Sequence, residues 1–294
     1  MRAPGRDTAE SPASPTGRLA AHLRLGIPFY LGLRALATRQ TYPECCVRAA
    51  AGRTPELVRA LLTLYRGDDT AGAGSVEQIN FRCAALTLGD TGERFFFKEF
   101  PRHHLLHDVE RALRCSRVDR AWRAAHVLPH LRVLTPRAVG TVIARADHGP
   151  AVEYLATEWL DGAIPFPDYV RQSEQRANAR LPLLREFAGN LRHWHAQGVY
   201  LRDLVKNVLV REEARARSYW LTDLDGLHPY RWLTRSRILR HMRQLAHWVG
   251  PLHPEEAIAI CRNYLGEMEC RFAHEIVQAL TIRRPEADSP RDAD

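Results

Sequence analysis

Sulfur is scarce in this chain and builds no framework. The six cysteines, Cys45, Cys46, Cys83, Cys115, Cys261 and Cys270, include one adjacent pair but no CxxC spacing. That excludes a disulfide scaffold and points to reduced thiols in a cytoplasm. Long hydrophobic runs are also missing. The longest apolar stretch, Leu25 to Ala37, is interrupted by Pro28 and Arg34 and falls short of the roughly 20 residues that span a bilayer, so no transmembrane helix is expected. Met1 to Thr16 carries Pro, Ser, Asp and Glu where an export signal needs a continuous apolar segment. Acidic charge is in deficit: 42 basic residues, mostly arginine, face 34 acidic ones, for a formal net charge of +8. That surplus suits phosphate, anionic lipid, an anionic sugar or nucleic acid as a partner. The arginines are dispersed and no aromatic RNA-binding motif accompanies them, which argues against nucleic acid.

A hydrophobic share of 45% beside 26% charged residues is that of a globular protein able to bury one or two cores. Residues 1–17 and 285–294 read as disordered tails rich in Pro, Ser, Ala and charge. Residues 18–60 are expected to form a helical extension. Its first part carries only basic charges (Arg18, Arg24, Arg34, Arg39) among Leu, Ile, Phe and Tyr, a surface that could rest on an anionic membrane. Pro28 and two glycines interrupt that face and favour packing on the body of the protein instead. Thr54-Pro55-Glu56 has the cap, proline and acid of a helix start, with Leu57, Leu61 and Leu64 along one side.

From about residue 75 the period changes. Phe81 to Leu88 and Arg94 to Phe100 flank Gly89-Asp90-Thr91-Gly92, the signature of a β-hairpin. A helical region is expected over His104 to Leu128, then strands at Ala138 to Ala144 and Ala151 to Glu158. Leu183, Leu184, Phe187, Ala188, Leu191 and Trp194 recur at helical spacing, so Leu181 to Ala196 is an amphipathic helix stopped by Gly198. Short strands follow at Val208 to Val210 and Tyr219 to Thr222, and helices at Arg235 to Val249 and Pro254 to Thr281.

The chemistry concentrates in Gly198-Val199-Tyr200-Leu201-Arg202-Asp203-Leu204-Val205-Lys206-Asn207-Val208-Leu209-Val210 and in Leu221-Thr222-Asp223-Leu224-Asp225. Phosphoryl transfer from a nucleotide asks for a carboxylate to orient and deprotonate an acceptor hydroxyl, oxygen ligands for magnesium, and a cation on the donor phosphates. Asp203 can serve as the base, and Asn207 and Asp223 as the metal ligands. The histidines His103, His104 and His107 lack acidic or cysteine partners at ligand spacing, so no metal site is read there. His195, at the end of the amphipathic helix, is expected near the Asp203 loop, where it could help hold it.

In this order and spacing the segments resemble the catalytic and metal-binding loops of protein-kinase-like folds. Within that superfamily the chain most resembles the lipopolysaccharide core kinases, which phosphorylate heptose or Kdo sugars. Further matches are Phe95-Phe96-Phe97-Lys98, Val118 to His126 followed by Leu134-Thr135-Pro136, and Tyr230-Arg231-Trp232 after the second acidic motif. The resemblance implies an α+β fold of two lobes, a small β-rich lobe over residues 61–158 and a larger helical lobe over 159–284. It also implies ATP and Mg2+ as cofactors, with Lys98 on the α and β phosphates and Thr157-Glu158-Trp159-Leu160 as the hinge that pairs with adenine. The acceptor would be an anionic sugar or glycolipid met at the inner membrane surface.

The chain departs from the family at four points. Leu201 stands where the family has histidine, Asn207 follows Asp203 by four positions where five is usual, and Ala121 falls where the lysine's glutamate partner belongs, with Asp119 and Glu110 as substitutes. In place of a full glycine-rich phosphate loop there is only Gly72-Ala73-Gly74. These departures keep two other readings open: a pseudokinase that binds a nucleotide or partner, and a protein or small-molecule kinase of the same superfamily.

Overall fold

The computed structural model describes residues 37–41, 45–50, 55–66, 74–80, 82–89, 91–101, 117–144, 152–174, 180–213, 216–229, 233–266 and 271–281. The tails, most of the basic segment over 18–40, Gly72, Ala73, the histidines at 103, 104 and 107, Glu110 and residues 230–232 lie outside them.

Strand periodicity dominates the first half. The strands β1 (Ala37–Thr41), β2 (Cys45–Ala50), β3 (Gly74–Asn80), β4 (Cys83–Leu88), β5 (Arg94–Pro101), β6 (Ala138–Ala144) and β7 (Val152–Glu158) make one antiparallel sheet in the order β1-β2-β6-β7-β5-β4-β3. The expected hairpin is β4–β5, closed by the amide of Gly92 (φ +65°), which donates to the Leu88 carbonyl at 2.9 Å. Such a positive φ suits glycine. On β5, Phe95 and Phe97 are buried on one face, while Lys98 and Phe100 belong to the other.

The helical extension expected over 18–60 needs correction, because Ala37–Thr41 and Cys45–Ala50 pair as the antiparallel strands β1 and β2 at the edge of this sheet. Cys45, Val47 and Ala49 alternate into the core with Arg48 between them, a period of two written in small residues. Helix α1 (Pro55–Arg66) does form. It buries Leu57, Val58, Ala60, Leu61 and Leu62 in one core with β2, β4, β5 and β6. Gly140 on β6 makes that approach feasible, since a Cβ there would meet Leu61 Cδ1 at 2.6 Å.

The second core lies in the helical half. It joins α2 (Arg117–Val127) to α3 (Phe166–Glu174), α4 (Arg180–Ala196), α5 (Arg235–Val249), α6 (Pro254–Leu265) and α7 (Arg271–Thr281). Leu183, Leu184, Phe187, Ala188, Leu191 and Trp194 of α4 are buried as their spacing predicts, each of the larger ones contributing about 1.5–3 kcal/mol. Gly198 (φ +74°) ends α4, its amide donating to the His195 carbonyl at 3.0 Å. The helical stretch expected over 254–281 divides into α6 and α7 at Gly266 (φ +78°). Two small sheets complete this half: β8 (Ile164–Pro165) with β10 (Val208–Glu213) and β11 (Ala216–Leu221), and β9 (Val199–Leu201) with β12 (Leu227–Pro229). The second pair joins the two acidic motifs, placing the residue ahead of Arg202-Asp203 opposite Leu227. Among the described residues no helix is long and apolar enough to cross a membrane.

Candidate active site

Lys98 leaves β5 on the face turned toward the helical half, and its register partners are Cys83 on β4 and Leu155 on β7. Its Nζ donates to Asp223 Oδ1 and lies 3.5 Å from Asp225 Oδ1. Residues 125 positions apart in sequence thus meet across the two halves. Asp223 follows β11 in a left-handed conformation (φ +57°, ψ +51°). Aspartate tolerates that region better than most residues, and strain of this kind gathers at functional sites. The next residues, Leu224–Gly226, make a 3-10 turn that tucks Asp225 to 8% side-chain exposure.

Asp225 is the electrostatic hub. Arg117 of α2 donates to its Oδ2 through Nε at 2.8 Å and again through Nη2, and Arg120 Nε reaches its backbone carbonyl at 3.4 Å. Burial pushes the Asp223 carboxyl up, and its hydrogen bond with Asp225 adds to that, against the pull of Lys98. Burial works the same way on Asp225, but the hydrogen bond from Asp223 together with Lys98 and Arg117 outweighs it and holds the group below the usual carboxylate range. Helix α2 therefore presents arginine to the acidic motif. Ala121 is fully buried in the core. Asp119 points away from this cluster and pairs with Arg48 of β2 at 2.9 Å.

Below this cluster, β9 delivers the chain to Asp203. Lys206 Nζ lies 3.4 Å from Asp203 Oδ2. The spacing to Asn207, shorter by one residue than in the resembled family, is absorbed by a 3-10 turn over Val205–Asn207, with the Asn207 amide donating to the Leu204 carbonyl at 3.0 Å. The Asn207 carbonyl then accepts both the amide of Thr222 (2.8 Å) and its hydroxyl (2.9 Å). Asn207 is thereby fixed beside the residue that precedes Asp223. The whole sequence contains two lysines, Lys98 and Lys206, among its 42 basic residues. Each forms an ion pair with one of the two key aspartates, although arginine serves at every other basic position. A compact, rotatable ammonium and a planar guanidinium are not interchangeable beside a phosphate. Lys206 thus joins the candidate site although motif matching alone passes over it, and this composition is the signal that could have found it.

Glu158 ends β7, three positions along the register from the Lys98 pair. Its amide donates to the Arg137 carbonyl and its Oε1 accepts the Arg137 amide, each at 2.9 Å. The Trp159 amide donates to the Arg94 carbonyl at 3.2 Å, and the Arg94 guanidinium sits 4.3 Å from the Trp159 ring centroid. These two amides are committed within the protein, so Glu158 braces the strand end with its side chain. Between β3 and β4, where the resembled family has its phosphate-covering loop, Asn80 pairs with Cys83 and Asn80 Oδ1 accepts the Arg82 amide at 2.9 Å.

As a donor set for a hard divalent cation, the Asp223 carboxylate and the Asn207 amide oxygen suit magnesium, which keeps several waters and takes the remainder from phosphate. A carboxyl raised by burial and by a neighbouring acid is one that such a cation would stabilise in its ionised form. Among the described residues no group of three or more His, Cys, Asp or Glu forms a metal cluster, so any cation here relies on this sparse set.

No protein-family profile and no curated protein matches the sequence. Solved structures do match: the one described as "WaaP in complex with acyl carrier protein" aligns with a TM-score of 0.50 at 17% identity, over 73% of this chain and 88% of that one. With its sheet-dominated first half and helical second half, the chain has the bilobal protein-kinase-like fold expected from its motifs.

Proposed function

We propose that this protein is an ATP-dependent, magnesium-assisted kinase that transfers the γ-phosphate to an alcohol on an anionic sugar or glycolipid, with a heptose or Kdo of a lipopolysaccharide core as the leading acceptor. The observation that carries this reading is the meeting of Lys98 with Asp223 across the two halves while Asn207 is locked to Thr222 next door. Sequence motifs alone do not require that convergence. Asp203 would orient the acceptor hydroxyl and take its proton. Lys206 would keep that carboxylate's charge in check and face the phosphoryl group as it moves, and Lys98 would turn from Asp223 to the donor phosphates. Asp223 and Asn207 would hold magnesium, which supplies charge neutralisation on the phosphates. The adenine would pair with backbone beyond Trp159, since the Glu158 and Trp159 amides are already used.

The acceptor class rests on the basic surplus and on the resemblance to sugar kinases. Its test is phosphate transfer to purified lipopolysaccharide with magnesium and ATP, with Asp203→Ala alongside. Transfer by the wild type that the variant abolishes supports the reading. Nucleotide binding without transfer to lipopolysaccharide, protein or small alcohols would leave the second reading, a pseudokinase. That reading draws on one specific contact: α2 gives Arg117 to Asp225, whereas an active kinase of this superfamily usually draws an acid from this helix to its lysine.

A further inference from the structure

Leu201 leaves the Asp203 loop without the imidazole that the resembled family places there, yet an imidazole is present at the same backbone. His241, fully buried on α5, puts Nε2 2.8 Å from the Leu201 carbonyl. Its Nδ1 lies 2.7 Å from His195 Nε2 on α4, and His195 Nδ1 lies 2.6 Å from the Tyr264 hydroxyl on α6. One turn further along α5, Gln244 Nε2 donates to the Arg202 carbonyl at 2.6 Å. Two side chains on one face of α5 therefore hold the two consecutive carbonyls that precede Asp203.

The proton arrangement follows from elimination. A carbonyl only accepts, so His241 Nε2 carries hydrogen, and a neutral ring then leaves Nδ1 as an acceptor. His195 must donate to it from Nε2, which leaves His195 Nδ1 to accept the Tyr264 hydroxyl. The four ring nitrogens of His195 and His241 and the Tyr264 hydroxyl are each paired with no net charge, the condition under which a buried polar network rigidifies its surroundings. Tyr200, next to Leu201, stacks on His241 at a centroid distance of 4.9 Å and so fixes the ring plane.

We infer that Tyr264, His195 and His241 form a neutral strut from α6 through α4 and α5 to the Leu201 carbonyl, and that His241, with Gln244, is a positioning residue for Asp203. The inference rests on the kinase reading only for what Asp203 does; the strut itself is independent of it. A misplacement of about 1 Å in a reacting group is enough to lose on the order of 100-fold in rate, so the expected signature is a loss of turnover without a loss of nucleotide affinity.

The test uses the full chain. Long-range proton–nitrogen NMR of the imidazoles is expected to find His195 and His241 both neutral and both carrying hydrogen on Nε2 at pH 7; an Nδ1–H form or a charged ring at either position overturns the strut. In folded His241→Leu, amide exchange over residues 202–207 is expected to rise about tenfold relative to the amides of α4, with His241→Gln, which keeps a donor to Leu201, restoring protection. Equal exchange in the loop and in α4 would reduce the contact to ordinary packing and overturn the positioning role. With magnesium, ATP and purified lipopolysaccharide, kcat is expected to fall ~100-fold in His241→Leu while KM for ATP stays within about threefold. If the wild type transfers no phosphate, the kinase reading falls, and the tautomers and loop exchange still decide the strut. Should His241→Leu fail to fold, the wild-type tautomers and the His241→Gln protein carry the test.

Discussion

On one side of the Asp203 loop, Lys98, Asp223, Asp225 and Arg117 meet through charge; on the other, Tyr264, His195 and His241 meet with none. The charged group bridges the sheet to the helical half and is partly open, with side-chain exposures of 22% for Lys98, 36% for Asp223 and 47% for Arg117. The neutral group joins helices of the same half and is closed to water, His241 completely. Charged contacts at a cleft can exchange one partner for another, a carboxylate for a phosphate or an ammonium for a metal, because each ion stays paired throughout. Neutral hydrogen bonds in a dry interior offer no such exchange: breaking one strands a donor or acceptor. Under the proposed kinase function, the contacts that would rearrange on nucleotide binding are thus ionic, and those that would hold still are neutral.

The largest effect should come from the group between them. Asp203→Ala is expected to lower phosphate transfer about 10³-fold, or ~4 kcal/mol of barrier, with an unchanged melting temperature; a parallel loss of fold in thermal unfolding would contradict its placement at the loop surface.

Next, acidification should attack the neutral side. Burial lowers both rings, His241 to about 4, helped by Arg240 and opposed by the Leu201 bond and Asp203, and His195 well below the ordinary value. The unfolded chain binds these protons from pH 6.5 downward while the folded chain refuses them, so stability is complete above pH 6.5 and drains as pH falls toward 4. At pH 5 the His241 contribution alone is a loss of about 2 kcal/mol, read from urea unfolding, and it should shrink in His241→Gln.

Asp225→Asn should destabilise the charged side by about 1–2 kcal/mol, a value discounted for the exposure of Arg117. The difference from wild type should narrow in 1 M salt, whereas the effect of His241→Leu should not; equal salt responses would erase the contrast between the two sides. Lys206→Arg is expected to slow transfer about fivefold, or ~1 kcal/mol, with nucleotide affinity kept, as single-turnover kinetics can show. Asp119→Ala, which removes the pair with Arg48, should change stability by less than ~1 kcal/mol and leave magnesium-dependent nucleotide binding untouched in a thermal-shift titration; lost binding would make Asp119 a partner of Lys98 after all.

What the sequence disclosed followed the range of the interaction. The β4–β5 hairpin, strand β6 and helix α4 were legible because their patterns are local and strong: Gly-Asp-Thr-Gly between aromatic strands, and leucines at helical spacing. The β1–β2 hairpin was not, because Cys45, Val47 and Ala49 are too small to stand out among apolar neighbours. At the site, Lys98, Asp203, Asn207 and Asp223 came from motif order. Arg117 to Asp225 and His241 to Leu201 join residues 108 and 40 positions apart, and neither partner carries a local mark of the other. Of the two acids offered for Lys98, Asp119 faces β2 and pairs with Arg48, a direction that helical spacing alone does not disclose.

The left-handed backbone at Asp223 decides which substitutions there can be interpreted. Alanine would remove the carboxylate and also occupy a conformation that costs it on the order of 1 kcal/mol, so a dead Asp223→Ala protein confuses lost charge with a displaced peptide. Glycine tolerates the backbone but frees it. Asparagine keeps the shape, the conformation and one oxygen while exchanging the other for an uncharged NH2, which makes position 223 the place where the proposed ligand chemistry can be separated from folding with a single side-chain atom.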